Sequence, residues 1–189
     1  MYINGGEKMT EEDYISLLKE KDEEIKKLKK QIEFYKKAAY LDTLTKLHNR
    51  RIIKELDDYS CLILGDIDYF KFINDTYGHD TGDQVLVEIS NLFKEQVDKD
   101  DIVCRWGGEE FLILLKNDTE EHAYEKAVLI KNSLIKLKSI FGFDITMSFG
   151  VSKVNDSIEE SVKKADKAMY NSKDRGRNRV TTYSLNLNN

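Results

Sequence analysis

The chain has 189 residues, of which 40% are hydrophobic and 34% charged, with 30 Lys and Arg against 35 Asp and Glu and a formal net charge of -5. That length holds one domain of ~150 residues, which buries roughly 68–70% of its unfolded surface, plus an appendage. The acidic balance, with a sequence pI near 5.4, argues against a grip on nucleic acid or on an anionic membrane, and no long apolar run or leader pattern points to a membrane span or to secretion. A cytoplasmic protein is expected.

In chain order, residues 1–9 are polar with a Gly5-Gly6 pair and are expected to be disordered. Residues 10–40 read as a heavily charged helix. Leu18, Ile25, Ile32 and Ala39 share one heptad position, and Tyr14, Lys21, Leu28 and Tyr35 share the other. This a/d seam fits a parallel two-stranded coiled coil, hence a homodimer through residues 10–40, with Glu24 facing Lys29 of the partner. Lys21 in the seam, and fewer than four heptads, leave open a single amphipathic helix packed on its own domain.

Strand and helix signals then alternate over a domain placed at 41–184, followed by a loose Asn-rich tail at 185–189. The patterns predict a helix over 49–59, a strand over 61–67, and a helix over 83–97. Strands over 102–106 and 111–115 flank a tight turn, Gly107-Gly108-Glu109-Glu110. A helix over 120–137, a strand over 145–151, a helix over 158–172 and a last strand over 179–183 complete the series. The hairpin excludes a purely parallel sheet. The expected class is α+β, an antiparallel or mixed sheet covered by helices. Cys61 and Cys104 lie in apolar runs without CxxC spacing and read as buried thiols.

Two acidic clusters fall where strands end: Asp66 and Asp68 after the first, Glu109 and Glu110 in the hairpin. If those strands are neighbours, Asp66 and Glu109 converge. Hard oxygen ligands without His or Cys suit Mg²⁺. Gly107 and Gly108 allow a backbone to approach a ligand closely. Lys71, Lys173 and Arg177 offer basic partners for phosphate, the last two at i,i+4 on the end of a helix. Asn74 and Asp83 have the donors and acceptors to read a purine edge. Each feature alone is also ordinary surface or turn chemistry.

Together these residues resemble the GGDEF family, the diguanylate cyclases. The segment Arg105-Trp106-Gly107-Gly108-Glu109-Glu110-Phe111 is similar to the family's hairpin in its Glu form. Further matching segments are Asp42-x-Leu44-Thr45-x-Leu47-x-Asn49-Arg50-Arg51, Asp66-Ile67-Asp68 with Phe70-Lys71-x-Ile73-Asn74-Asp75, and Gly78-His79-Asp80 with Gly82-Asp83. Ser148-Phe149-Gly150-Val151 and Ala165-Asp166-x-Ala168-Met169-Tyr170, leading to Lys173 and Gly176-Arg177-Asn178, continue the likeness from about 41 to 183.

The resemblance implies a palm-like nucleotidyl-cyclase fold, with a central, mainly antiparallel sheet wrapped by helices and preceded here by the coiled-coil helix. It implies that Asp66, the Ile67 carbonyl and Glu109 coordinate Mg²⁺ (or Mn²⁺), and that Glu110 supports the metal site or the attacking hydroxyl. Main-chain N–H groups at Tyr69, Phe70 and Lys71, with Lys71, Lys173 and Arg177, would meet the triphosphate. Asn74 and Asp83 would read guanine, and His79, Gly107 and Gly108 complete the substrate-binding set. The implied reaction joins two GTP molecules into cyclic di-GMP and two pyrophosphates between two facing domains, which makes dimerisation a catalytic requirement.

One departure stands out. The Arg-x-x-Asp slot through which product inhibits many members reads Asp98-Lys99-Asp100-Asp101, so Asp98 replaces the Arg while Asp101 is retained. No product inhibition is expected through this surface. No sensory domain is expected beside the N-terminal helix, so a protein regulator at the coil is one expected route of control. A silent GGDEF domain that binds nucleotide or a partner, and a cyclase making a different cyclic dinucleotide, are the competing readings.

Overall fold

The computed structural model describes residues 9–184. Apart from Met9, the expectations for 1–9 and 185–189 fall outside them. The chain divides after Tyr40 into two compact units.

The first unit is helix α1 (Glu11–Ala39). Thr10 starts it. Its hydroxyl accepts the Asp13 N–H while its own N–H donates to the Asp13 carboxylate, so two otherwise unpaired backbone donors are satisfied. Acidic residues in the first turn complement the helix dipole. Every seam side chain named above is exposed in the single chain. Lys21, the charge in that seam, pairs with Glu24 along the same helix at 2.7 Å.

The second unit holds a six-stranded sheet ordered β1-β3-β4-β2-β5-β6. The strands are β1 (His48–Asn49), β2 (Cys61–Ile67), β3 (Ile102–Arg105), β4 (Glu110–Leu115), β5 (Met147–Lys153) and β6 (Val180–Thr182). The four central strands pair antiparallel, whereas the two short edge strands join parallel. Helices α2 (Phe70–Tyr77), α3 (His79–Gln96) and α4 (Glu120–Ser133), a short α5 (Lys138–Phe141) and α6 (Ile158–Asp174) complete the domain. This is an α+β, palm-like architecture with a long helix ahead of it.

The period of two along the central strands separates two buried layers. Ile63, Ile67, Phe111, Ile113, Phe149 and Val151 meet Ile73, Leu86, Ile89 and Phe93 of α2 and α3 in one core. The other face carries α6, which crosses β5 at Gly150 so closely that a Cβ there would collide with the Ala165 carbonyl and the Met169 amide. That backbone contact sets the height of α6 over the sheet, and with it the position of Lys173 one turn on. Cys61 and Cys104 are buried, and burial pushes their thiols up to about 11 and about 12, so neither is a reactive thiolate. Among the described residues, no helix is long and apolar enough to cross a membrane.

Several boundaries differ from expectation. The helix expected over 49–59 is a two-residue strand and a 3-10 helix, Arg50–Glu55. His48 and Asn49 are captured by β3, the Asn49 side chain caps Arg51, and only Ile52 and Ile53 are buried, too little to sustain a longer helix. Helix α2 is absent from the sequence reading because only Phe70 and Ile73 of its eight residues are buried. Helix α3 starts four residues early, directly after Gly78 at φ 88. The strand expected over 145–151 moves to Met147–Lys153, where seven residues pair in register with β2. Residues 134–137 leave the α-helix for a 3-10 turn that buries Leu134 and Leu137 at a spacing of three.

Candidate active site

The β2 end and the hairpin meet. Asp66 lies opposite Glu110 in the antiparallel ladder, and one step on the Ile67 N–H donates to the Glu109 carbonyl at 3.3 Å. Asp66 is therefore paired across with Glu110, not Glu109, while Glu109 sits beside Ile67. The hairpin is closed by the Trp106 and Gly107 N–H groups, both donating to the Glu110 carbonyl, at 2.8 and 3.3 Å. Arg105 braces it further, its Nε and one terminal nitrogen donating to the Gly108 carbonyl at 3.1 and 2.8 Å. The other terminal nitrogen reaches Asp42 at 3.2 Å. Asp42 in turn accepts the Thr45 N–H and hydroxyl. Burial raises the Asp42 pKa, but these bonds outweigh it and hold the carboxyl below the ordinary value. Asp42, near the start of the second unit, is thus fixed to the hairpin.

The two hairpin glycines differ in use. A Cβ on Gly107 would come within 2.7 Å of Glu110 Oε2, so this glycine makes room for the carboxylate. A Cβ on Gly108 would meet nothing within 4 Å, which leaves that side open for a ligand.

Asp66 is 8% exposed, and the Lys173 ammonium stands 2.9 Å from its carboxylate. Burial raises the Asp66 pKa, and Lys173 opposes the rise. Burial and then the Asp66 charge also lift Glu110. Carboxylates raised by burial and by neighbouring carboxylates ask for a cation, and Lys173 supplies one. Among the described residues, no three His, Cys, Asp or Glu side chains form a ready metal cage. The donors at hand are the Asp66 and Glu109 carboxylates and the Ile67 carbonyl. That set fits Mg²⁺, which takes one or two carboxylates and fills its shell with water and substrate phosphates. An open cavity of about 490 Å³ flanks Glu110 and Lys173 on the α6 side and includes Asp166 and Tyr170.

The phosphate-binding candidates gather at the start of α2. Tyr69, at φ 56, turns the chain from β2 into α2. The first-turn N–H groups of α2, including Phe70 and Lys71, have no partner within that helix. The Lys71 side chain is exposed. Arg177 is not on the helical face expected of it. Helix α6 ends at Asp174, and Arg177 follows at φ 61, with its guanidinium 4.6 Å from the Tyr69 ring centroid. Gly176 at φ 107 breaks the helix and turns Arg177 away from the i,i+4 row.

Asn74 and Asp83 come from consecutive helices. Gly82 touches the Asn74 amide so closely that a Cβ would collide with its oxygen, which brings Asn74 to the turn of α3 that carries Asp83. Asp83 and His79 are exposed, Asn74 half-buried. Asp68, grouped with Asp66 in the sequence, does different work: it is 4% exposed and accepts three hydrogen bonds. The Arg105–Asp42 brace is not legible in the sequence, because nothing there links residues 63 positions apart.

At the Asp98–Asp101 turn the acidic cluster is neutralised from within. Lys126 of α4 lies 2.8 Å from Asp98 and 2.9 Å from Asp101. Asp101 also accepts the Asp98 and Lys116 N–H groups.

Comparison with known proteins gives the family and the fold. The family described as "Diguanylate cyclase, GGDEF domain" matches residues 39–179. Diguanylate cyclase DgcM of Escherichia coli K12 is 40% identical over 172 residues, covering 83% of this chain but 41% of DgcM. The chain thus spans about two fifths of that relative. The crystal structure of the coiled coil and GGDEF domain of DgcB from Caulobacter crescentus, in complex with c-di-GMP, superposes with a TM-score of 0.73 at 29% identity over 89% of this chain and 98% of that one. Diguanylate cyclase SiaD from Pseudomonas aeruginosa, in complex with its activator SiaC, gives 0.72 at 29% identity over 90% and 77%. With the family's model matching residues 39–179, the chain belongs to the GGDEF domain family.

Proposed function

We propose that this protein is a diguanylate cyclase, which condenses two GTP molecules into cyclic di-GMP and two pyrophosphates between two facing domains of a homodimer. The observation that carries the reading is the meeting of the Asp66–Ile67 strand end with the Gly107–Glu110 hairpin, under Lys173, in a chain of this family. Asn74 and Asp83 take the guanine. The α2 N-terminus, Lys71, Lys173 and Arg177 take the triphosphate, and His79 lies at its edge. Each 3′-hydroxyl attacks the α-phosphorus of the other GTP. One phosphodiester bond forms and one phosphoanhydride bond breaks at each centre, and pyrophosphate departs. Glu110, whose pKa burial raises, would support the metal site or take the proton of the attacking hydroxyl. Mg²⁺, held by Asp66, the Ile67 carbonyl and Glu109, would supply charge neutralisation at the phosphates. Most of the rate then comes from orientation.

The exposed apolar row Leu18, Ile25, Leu28 and Ile32 on α1 supports dimerisation through residues 10–40, and tethering raises the effective concentration of the second domain. Control by a protein regulator at this helix belongs to the same proposal and is supported by the likeness to SiaD with its activator SiaC. The Lys126 pairing of Asp98 and Asp101 supports the absence of product inhibition at that turn. GTP as substrate places the enzyme in the cytoplasm.

The test is incubation with GTP and Mg²⁺ and product identification by mass, with Glu109→Ala in parallel. Cyclic di-GMP from the wild type alone is expected, undiminished in rate by added product. No product from protein shown to be dimeric by light scattering would leave a silent signalling domain.

A further inference from the structure

Asp68, outside the proposed catalytic carboxylates, is buried and held by three hydrogen bonds. The Asp68 carboxylate accepts the Thr146 hydroxyl at 2.8 Å, the Ser148 hydroxyl at 2.7 Å and the Asn178 N–H at 3.0 Å. Its own N–H donates to the Thr146 carbonyl at 2.9 Å. It thereby ties three segments together: the β2–α2 turn, the start of β5 and the α6–β6 loop.

That loop is strained. Gly176, Arg177 and Asn178 hold φ of 107, 61 and 47 in succession. Glycine accepts such angles freely and asparagine tolerates them, whereas arginine does not. A strained run persists only where its surroundings over-determine it. On one side the Arg177 N–H donates to the Ser172 carbonyl at 3.0 Å, and on the other the Arg179 carbonyl accepts the Phe149 N–H at 2.8 Å. Between these anchors the bond from Asn178 to Asp68 fixes the second half of the turn. The outcome is the Arg177 guanidinium stacked on Tyr69, at the head of α2.

We infer that Asp68 is a positioning residue for the triphosphate clamp, acting through the Asn178 N–H to hold Arg177 over Tyr69. The inference rests on the proposed function for the role of Arg177. A carboxylate so near a polyphosphate site would repel the ligand if it were free, so burial and three donors are what make it usable there. Asp68 touches neither substrate nor metal in this account; its effect is on where a cation stands.

The experiment is a double-mutant cycle on the full chain, Asp68→Ala with Arg177→Ala, read by equilibrium binding of a non-cyclising GTP analogue and of inorganic tripolyphosphate, with Asp68→Asn as the conservative variant. Each single alanine substitution is expected to weaken tripolyphosphate binding about tenfold, as for loss of one charge-assisted contact. The double variant is expected to be no weaker than Arg177→Ala alone, and Asp68→Asn, which keeps an acceptor for Asn178, to restore binding. Trypsin provides a readout independent of nucleotide: Asp68→Ala should be cut after Arg177 about tenfold faster than wild type, with Asp68→Asn near wild type. Multiplying losses in the cycle, or unchanged cleavage after Arg177, overturns the inference. Wild-type protein that binds neither ligand overturns the functional reading instead, and the trypsin result then decides the loop. If Asp68→Ala does not fold, Thr146→Val, which removes one anchor of the carboxylate, is judged on the same two criteria.

Discussion

Lys173 and Asp66 face each other at 2.9 Å, the cation near the end of α6 closing on the carboxylate at the end of β2. The pair places an ammonium where a divalent ion would need the carboxylate. Lys173→Met is therefore expected to bind Mg²⁺ more tightly without nucleotide, by about tenfold, or ~1.4 kcal/mol, once the competing charge is gone. Without metal the variant should lose about 1–2 kcal/mol of stability, less than for a fully buried pair because the lysine is partly exposed. Calorimetric Mg²⁺ titration and urea unfolding measure the two effects, and equal Mg²⁺ affinity would refute the competition.

Glu110 gives a pH dependence of definite sign. Burial first and the Asp66 charge second raise its pKa above the ordinary 4.5. A carboxylate raised by folding binds its proton better in the folded state. Its contribution is fully present below the unfolded value and is lost as pH rises through the folded one. At pH 7 the ionised group thus costs stability, and Glu110→Gln should unfold about 2 °C higher, or ~0.5–1 kcal/mol, while losing cyclase activity. At pH 4 the gain should shrink toward zero. Thermal melts at the two pH values decide it; an equal gain at both would mean packing, not charge.

Gly82→Ala separates base reading from phosphate binding. The added methyl displaces the Asn74 amide, which already lies against the Gly82 backbone. Binding of a GTP analogue should weaken about tenfold, the scale of a lost specific hydrogen bond left partly unsatisfied. Tripolyphosphate, which has no base, should bind as before. Gly108→Ala, where a Cβ meets nothing, should leave the Asn74 geometry unchanged. Equal losses for both ligands in Gly82→Ala would point to a general disturbance of α2 and α3.

Local pattern marks β2, β3 and β4 well, because each holds an unbroken apolar run bounded by polar residues or glycine. Strand 61–67 is read at its true ends for that reason, and the long apolar faces of α3 and α6 show in their spacing. The pattern failed where an element owes its form to a distant partner. Nothing near His48 announces pairing with Cys104, and β5 slides by two residues to match β2. Eight-residue α2 is too short to show a period, yet it carries Asn74 and opens with the turn at Tyr69.

The sequence by itself determined the fold class, the family likeness and the residue types that a metal- and phosphate-binding site requires, since these depend on composition and order along the chain. Tertiary structure alone decided their geometry. It placed Glu110 rather than Glu109 opposite Asp66, set Lys173 on Asp66, and drew Arg177 off the helix onto Tyr69. It also divided two aspartates two positions apart between unlike tasks: Asp66 faces a cation, and Asp68 is consumed by three donors from residues 78 to 110 positions away. The physical reason is that a carboxylate's role is set by the groups that reach it in space, and spacing along the chain does not encode which groups those are.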